Sequence, residues 1–146
     1  METNQNLTRP VEYTDSEIIC ELSNNELGYN CDELLVREKI LHLDKNREEV
    51  FVAIHKDAVV GFIHIEKYEP LFAPTMANIL GLAVSKEFQH MGFGSILLKI
   101  AEKWAADNGC TSVRVNSGAA RTNAHKFYRA MGYLNEKDQK RFLKKI

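Results

Sequence analysis

An almost wholly apolar run, Ala77 to Val84, leads into a polar loop carrying two glycines two residues apart, Gly92 and Gly94. An amphipathic helical pattern, Ile96 to Asp107, leaves that loop. A chain that passes from an apolar strand through such a loop into a helix has few folds open to it. Glycine lets the main chain approach a bound phosphate, and the free N–H groups of the first helical turn point at the charge. The helix macrodipole adds about half a positive charge at that end. The segment therefore suggests an α/β architecture with an anion cradle, and a pyrophosphate-bearing ligand is the first expectation. An ordinary strand-to-helix turn with two convenient glycines is the plainer alternative.

The spacing excludes two common phosphate loops. A dinucleotide fingerprint needs a third glycine three residues on and an acidic residue about 20 further along. Leu97 stands where that glycine would be. A triphosphate loop ends in Gly-Lys-Ser/Thr, whereas Gly94 is followed by Ser95 and Ile96. What remains is Gln89-His90-Met91-Gly92-Phe93-Gly94 behind a strand ending in Val84. It resembles the coenzyme A pyrophosphate loop of the GNAT superfamily of acyl-CoA-dependent N-acyltransferases, usually written Arg/Gln-x-x-Gly-x-Gly/Ala. A second segment, Ala124-His125-Lys126-Phe127-Tyr128-Arg129-Ala130-Met131-Gly132-Tyr133, resembles the short late helix of the same superfamily. Ala124 and Tyr128 are four apart and share a helix face, and Gly132 is placed to end the helix.

At 146 residues the chain fits one domain, expected to run over 1–146. A hydrophobic content of 45% and a charged content of 27% are those of a soluble globular protein. The formal net charge of -1 makes no general case for nucleic acid. Three cysteines, Cys20, Cys31 and Cys110, lack metal-ligand spacing and leave an odd thiol. Reduced cysteines suit a cytoplasmic protein. The polar start, Met1 to Pro10, has no apolar signal core, and no run approaches the ~18 apolar residues of a membrane span. No metal and no membrane are expected.

The patterns predict a frayed start over Met1 to Thr8 and a short first strand over Pro10 to Tyr13. A helix capped by Thr14 or Asp15 should run through Ile18, Ile19 and Leu22, broken by Asn24-Asn25 and Gly28. A second helix from Asp32 should carry Leu34, Leu35, Ile40 and Leu41 as its apolar stripe. Glu49 to His55 and Ala58 to Glu66 alternate around Lys56-Asp57, which reads as a hairpin. Tyr68 to Thr75 is a loop with two prolines. Ala77 to Val84 reads as a central strand covered on both faces. Thr111 to Asn116 is a fifth strand, followed by the late helix and two short strands near Tyr133 to Glu136 and Lys140 to Lys144. The order matches the α/β (α+β) GNAT fold: a mixed, mostly antiparallel seven-stranded sheet flanked by about four helices. In that fold the fourth and fifth strands splay apart to admit the pantetheine arm.

The resemblance implies N-acetyl transfer from acetyl-CoA, the co-substrate, to a primary amine of a small molecule or peptide by direct transfer in a ternary complex. It implies that pantetheine adds along the backbone of Leu82, Ala83 and Val84. Backbone N–H groups over His90, Met91, Gly92, Phe93, Gly94 and Ser95 would hold the pyrophosphate, with the Gln89 side-chain amide assisting. Tyr128 would be the general acid that protonates the departing thiolate, a sensible role for a phenol of pKa ~10. Arg121 and Asn123 are further candidates for the coenzyme. Asn123 lies five residues before the tyrosine, where many relatives place such an Asn seven before it. Glu66 and His64 alternate on one strand face and are the candidates for the base, although each also fits as a plain strand residue. A homodimer is the family expectation. The rival reading is a non-catalytic coenzyme A-binding module, a sensor or scaffold on the same fold.

Overall fold

The computed structural model describes residues 7–146. The start expected to fray lies outside them up to residue 6. The chain falls into two compact units, one ending at Val115 and the other formed by Asn116–Ile146.

The first unit is built on a five-stranded sheet in the order β1-β2-β3-β4-β5. The strands are β1 (Thr8–Pro10), β2 (Glu48–His55), β3 (Ala58–Tyr68), β4 (Met76–Val84) and β5 (Val113–Val115). The first four pair antiparallel and β4 pairs β5 in parallel. Two helices, α1 (Ser16–Leu27) and α2 (Glu33–Leu41), precede β2, and α3 (Phe93–Asp107) connects β4 to β5. Side chains alternate across a sheet, and this sheet is apolar on both faces. Val50, Val52, Phe62 and Ala83 pack with Ile19 and Leu22 of α1. Ile63 and Ile65 face the other way, toward the layer of α3, whose Leu97, Leu98 and Ala101 are fully buried. Each such large aliphatic side chain contributes about 1.5–3 kcal/mol by leaving water.

Local chemistry explains the boundaries. The β2–β3 turn puts Lys56 at φ 49 and Asp57 at φ 66, the two left-handed residues of a type I′ hairpin, whose twist matches that of the strands. Asp32 caps α2 by accepting from the Leu34 N–H. Gly28, at φ 76, ends α1.

Several expectations need correction. The first strand is Thr8–Pro10, two residues earlier than expected, and Tyr13–Asp15 forms a 3-10 turn. Proline at its end still allows pairing at a sheet edge. Asn24-Asn25 does not break α1: the Asn24 amide is satisfied by the Cys31 backbone, with Oδ1 accepting from Cys31 N at 2.8 Å, and so does not compete for its own helix. Of the expected α2 stripe only Ile40 reaches the core: Leu34, Leu35 and Leu41 are exposed, and Val36, four residues before Ile40, packs there beside it. Helix α3 begins at Phe93, three residues before the apolar pattern starts. Strand β4 is covered on both faces only in part: Leu80 is 47% exposed.

In the second unit, α4 (Thr122–Ala130) ends in a complete Schellman motif. Gly132 sits at φ 91 and donates to Arg129 O at 3.0 Å, while Tyr133 N donates to Tyr128 O at 2.9 Å. Residues 133–146 carry no helix or strand, so the expected sixth and seventh strands are not formed there, and among the described residues the sheet has five strands instead of seven. Alternation makes a segment fit to be a strand, but a strand also needs a ladder partner. Leu134, Phe142 and Leu143 stay exposed.

Candidate active site

The loop after β4 has the geometry an anion requires. A 3-10 turn, Lys86–Phe88, carries the chain off the strand, His90 turns it at φ 65, and Gly92 turns it again at φ 91. Gly92 serves as N-cap of α3, and the first helical bond runs from Ile96 N to Gly92 O at 3.0 Å. The N–H groups of Phe93, Gly94 and Ser95 therefore have no intrahelical acceptor and line up at the positive end of the macrodipole. No heavy atom lies within 4 Å of where a Cβ on Gly92 would stand, so the space above the turn is open. His90, Met91 and Gly92 are exposed.

The loop is held from beneath and from the side. Phe93 is buried, and its ring centroid lies 5.6 Å from that of His55 at the end of β2. Phe88 packs on the same imidazole at 5.4 Å. Gln89 was expected to face phosphate with its amide. Its Nε2 instead donates to Val84 O at 2.9 Å and to Glu26 Oε2 at 3.0 Å. Glu26 also accepts from Lys86 N at 3.2 Å, so this α1 carboxylate braces the loop.

Leu82, Ala83 and Val84 lie opposite Ile63, Phe62 and Gly61 of β3. On the other side of β4, pairing with β5 stops at Ile79 and Val115. The β4–β5 ladder therefore ends there, and among the described residues, 80–84 have no strand partner on that edge. An extended chain starting at the loop and adding along this edge would run from Val84 toward Leu80. The open glycine turn, the first-turn amides and the unpaired edge are contiguous and fit a pyrophosphate followed by an amide-bearing arm.

Two polar pairs lie on the sheet face covered by α1 and α2. His64 is opposite Gly81, and its Nε2 lies 2.8 Å from Glu48 Oε1. The carboxylate needs a donor, so Nε2 carries a proton, and in the neutral form of the ring Nδ1 is the acceptor. Glu66 accepts from Asn78 Nδ2 at 3.0 Å, which fixes the amide orientation and leaves Asn78 Oδ1 buried without a partner. Sequence reasoning named His64 and Glu66 but missed Glu48. His64 and Glu48, with Gly81 and Leu80, line a cavity of about 550 Å³ between the helices and the sheet.

The remaining candidates belong to the second unit. Tyr128 lies on α4 with its ring 5.7 Å from Tyr133 and 5.3 Å from Phe127. The Tyr133 contact is the apolar contact that accompanies a Schellman motif, so the helix cap also fixes the phenol ring. Burial raises the Tyr128 pKa above its usual value of 10.0, against the opposing charge of Arg121. Arg121 and Asn123 are exposed at the start of α4. Among the described residues, no helix is long and apolar enough to cross a membrane.

Comparison with known proteins agrees with this geometry. An uncharacterized N-acetyltransferase of Chlorobaculum tepidum is 30% identical over 122 residues, 82% of this chain and 70% of the relative. Among solved structures, AAC(6')-Iy in complex with a bisubstrate analog, CoA-S-monomethyl-acetylneamine, superimposes with a TM-score of 0.81 at 19% identity. That match covers 95% of this chain and 97% of the other. A transcriptional regulator from Bacillus halodurans C-125 gives a TM-score of 0.80 at 20% identity, covering 93% and 97%. At those identities the two structures share a fold with this chain. The profile described as the acetyltransferase (GNAT) family matches residues 16–133, from the first residue of α1 through the α4 cap. The chain therefore belongs to the GNAT acetyltransferase family, a family of acyltransferases.

Proposed function

We propose that this protein is an N-acetyltransferase that takes acetyl-CoA as co-substrate and transfers its acetyl group directly to a primary amine. The observation that carries the reading is the open turn at Gly92, with three first-turn amides free at Phe93, Gly94 and Ser95, set beside an unpaired β4 edge. Amides and a helix dipole recognise a pyrophosphate with no basic side chain required, which is consistent with Gln89 being occupied as a brace. Acetyl-CoA, when bound, supplies an activated acetyl group as a thioester.

The chain's own residues supply positioning and proton handling. Holding two substrates in register contributes much of the acceleration expected of such a site. His64, oriented by Glu48 through Nε2, offers Nδ1 to take the proton an attacking amine must lose, directly or through water. Glu66 is the weaker candidate for that task because Asn78 already donates to it. Tyr128 holds the proton that a departing thiolate takes, and its raised pKa keeps the phenol protonated at neutral pH. Arg121 and Asn123 are solvent-facing and are assigned to the coenzyme only as auxiliary contacts. We read 1–146 as one catalytic domain, because the family match runs through both compact units. The reading also places the protein in the cytoplasm, as a homodimer.

Ser95→Glu tests the cradle. An acidic residue in the first turn of α3 favours the helix, so the variant should fold, yet its carboxylate would face the bound phosphates. Calorimetry should show acetyl-CoA binding weakened at least about tenfold, the 1.4 kcal/mol scale of one repulsive contact. Unchanged affinity would remove the cradle. Tight binding without acetyl transfer to any amine would favour the non-catalytic module.

A further inference from the structure

The cavity lined by His64 and Gly81 has a chemistry that narrows the acceptor. Its walls come from α1, α2 and the sheet face, and they are mostly aliphatic or aromatic. Tyr29 (63% exposed), Leu35 (50%) and Leu80 (47%) all line it, although each leaves apolar surface open to water. Isolated exposed apolar residues need no explanation, but three converging on one concavity form a binding surface. Its size, about 550 Å³, suits a small molecule.

The charges around the cavity point the same way. Apart from the Tyr29 phenol, the ionisable side chains in its lining are Lys39, His42, His64 and Glu48. The one carboxylate, Glu48, is engaged by His64 at 2.8 Å and accepts from the Asp44 N–H at 3.3 Å. His42 Nδ1 is bonded at the Glu38 carbonyl, and Lys39 stands exposed on α2. A ligand with several ammonium groups would meet a lysine and find a single carboxylate, Glu48, for all of them. A ligand with one ammonium could direct it to the Glu48–His64 pair and leave its carbon body against Leu35, Leu80 and Tyr29.

We propose that this cavity binds the acceptor, and that the acceptor is a primary amine with a single positive charge on an apolar body, an arylalkyl- or alkylamine. The assignment rests on the transferase reading for the word acceptor, and on the cavity alone for the ligand class. Leu80 and Gly81 belong both to the cavity lining and to the free stretch of β4, so an arm running along that edge from Val84 ends at the cavity mouth. Polyamines and aminoglycosides are the excluded class.

The test uses the full chain and direct binding. Titration of isotope-labelled protein with 2-phenylethylamine, n-hexylamine, spermidine and neamine is followed by amide NMR at physiological salt. The two apolar amines should bind at least tenfold more tightly than the two polycations and shift the signals of Leu35, His64 and Gly81. Leu35→Lys, an exposed helix position that tolerates the change in folding, should weaken apolar-amine binding at least tenfold. Lys39→Glu should narrow the gap to spermidine. Polycations binding equally or more tightly, or apolar-amine binding that ignores Leu35→Lys, would overturn the assignment. Amine binding that follows these rules without acetyl transfer would support the cavity and count against the transferase reading alone.

Discussion

In the proposed role of general acid Tyr128 must hold its proton at the working pH, and burial favours this by raising its phenol above the usual 10.0. Only the protonated form can donate, so the contribution of Tyr128 should persist to more alkaline pH than that of an ordinary phenol. Tyr128→Phe should lower kcat by about 10²–10⁴ while leaving acetyl-CoA affinity unchanged, and should abolish the alkaline limb of the kcat–pH profile above about 10. An unaltered kcat would return Tyr128 to the role of a packed aromatic. The phenol was readable from its motif, but the partner of His64 was not. A two-residue turn at Lys56-Asp57 sets His55 opposite Ala58, and continued without interruption that register would set His64 opposite Glu49. The register slips by one at Ala53/Ile54, so Val60 has no opposite residue and His64 faces Val50. One residue of slip changes which face Glu48 and Glu49 share. Glu48 comes to His64, and Glu49 pairs with Lys45 at 2.6 Å. Cys20 was readable only as a reduced thiol. Burial, with the Cys31 sulfur 3.3 Å away, pushes its pKa up to about 11. Under reducing conditions at pH 8, peptide mapping should show Cys20 alkylated by iodoacetamide on the order of 100-fold more slowly than an unperturbed thiol.

Elements with strong periodicity emerged almost as drawn: the β2–β3 hairpin, the body of α3 and the cap of α4 at Gly132. Elements whose shape depends on a neighbour did not. Leu34, Leu35 and Leu41 of α2 read as part of a stripe in the sequence yet stay exposed, because composition alone does not show how little of a short helix touches the core. The bulge at Leu80 was equally hidden, since it exists only where Ile79 pairs Ile65 and Gly81 pairs His64. That bulge separates the half of β4 paired with β5 from the half left free. Close packing between elements makes Gly61 a sensitive position on β3. A Cβ there would stand 2.8 Å from Ala83 O and 3.2 Å from Leu97 Cδ1. The carbonyl belongs to the β3–β4 ladder and cannot retreat without stretching it, while Leu97 is fully buried. Gly61→Ala should therefore destabilise the protein by about 1–3 kcal/mol, read as a lower urea midpoint with an unchanged slope. A neutral result would mean that β3 and β4 separate more easily than their register suggests.

At the scale of the whole chain, the fold family followed from two short motifs, whereas the strand count did not. Residues 133–146 alternate enough to be strands, but which edge a strand joins depends on the finished sheet and is not a property of the segment. A charged pair at the edge of the sheet also shapes the molecule's response to acid. Arg9 on β1 and Asp15, at the entry to α1, form a bidentate pair at 2.7 and 3.0 Å, and Asp15 also accepts from the Glu12 N–H at 2.8 Å. Asp15 is buried, and desolvation alone would raise its pKa. The hydrogen bonds from Arg9 and Glu12, with the Arg9 charge, outweigh that effect and hold the carboxyl below its usual 3.8. A folded pKa lower than the unfolded one means that the pair's stabilisation is complete above the unfolded value, about 3.9, and is lost as pH falls from there through the folded value. Arg9, shifted further upward by its bond to Asp15, stays charged throughout. Asp15→Asn should therefore cost about 1.5–3 kcal/mol at pH 7, the scale of a charge-assisted hydrogen bond lost in a partly buried site. The difference from wild type should shrink steadily between pH 4 and pH 2, where wild-type Asp15 is itself becoming neutral. Urea denaturation of both proteins at pH 7, 4 and 2.5 measures this, and a difference that stays constant with pH would mean that Asp15 stabilises the chain by shape rather than by charge.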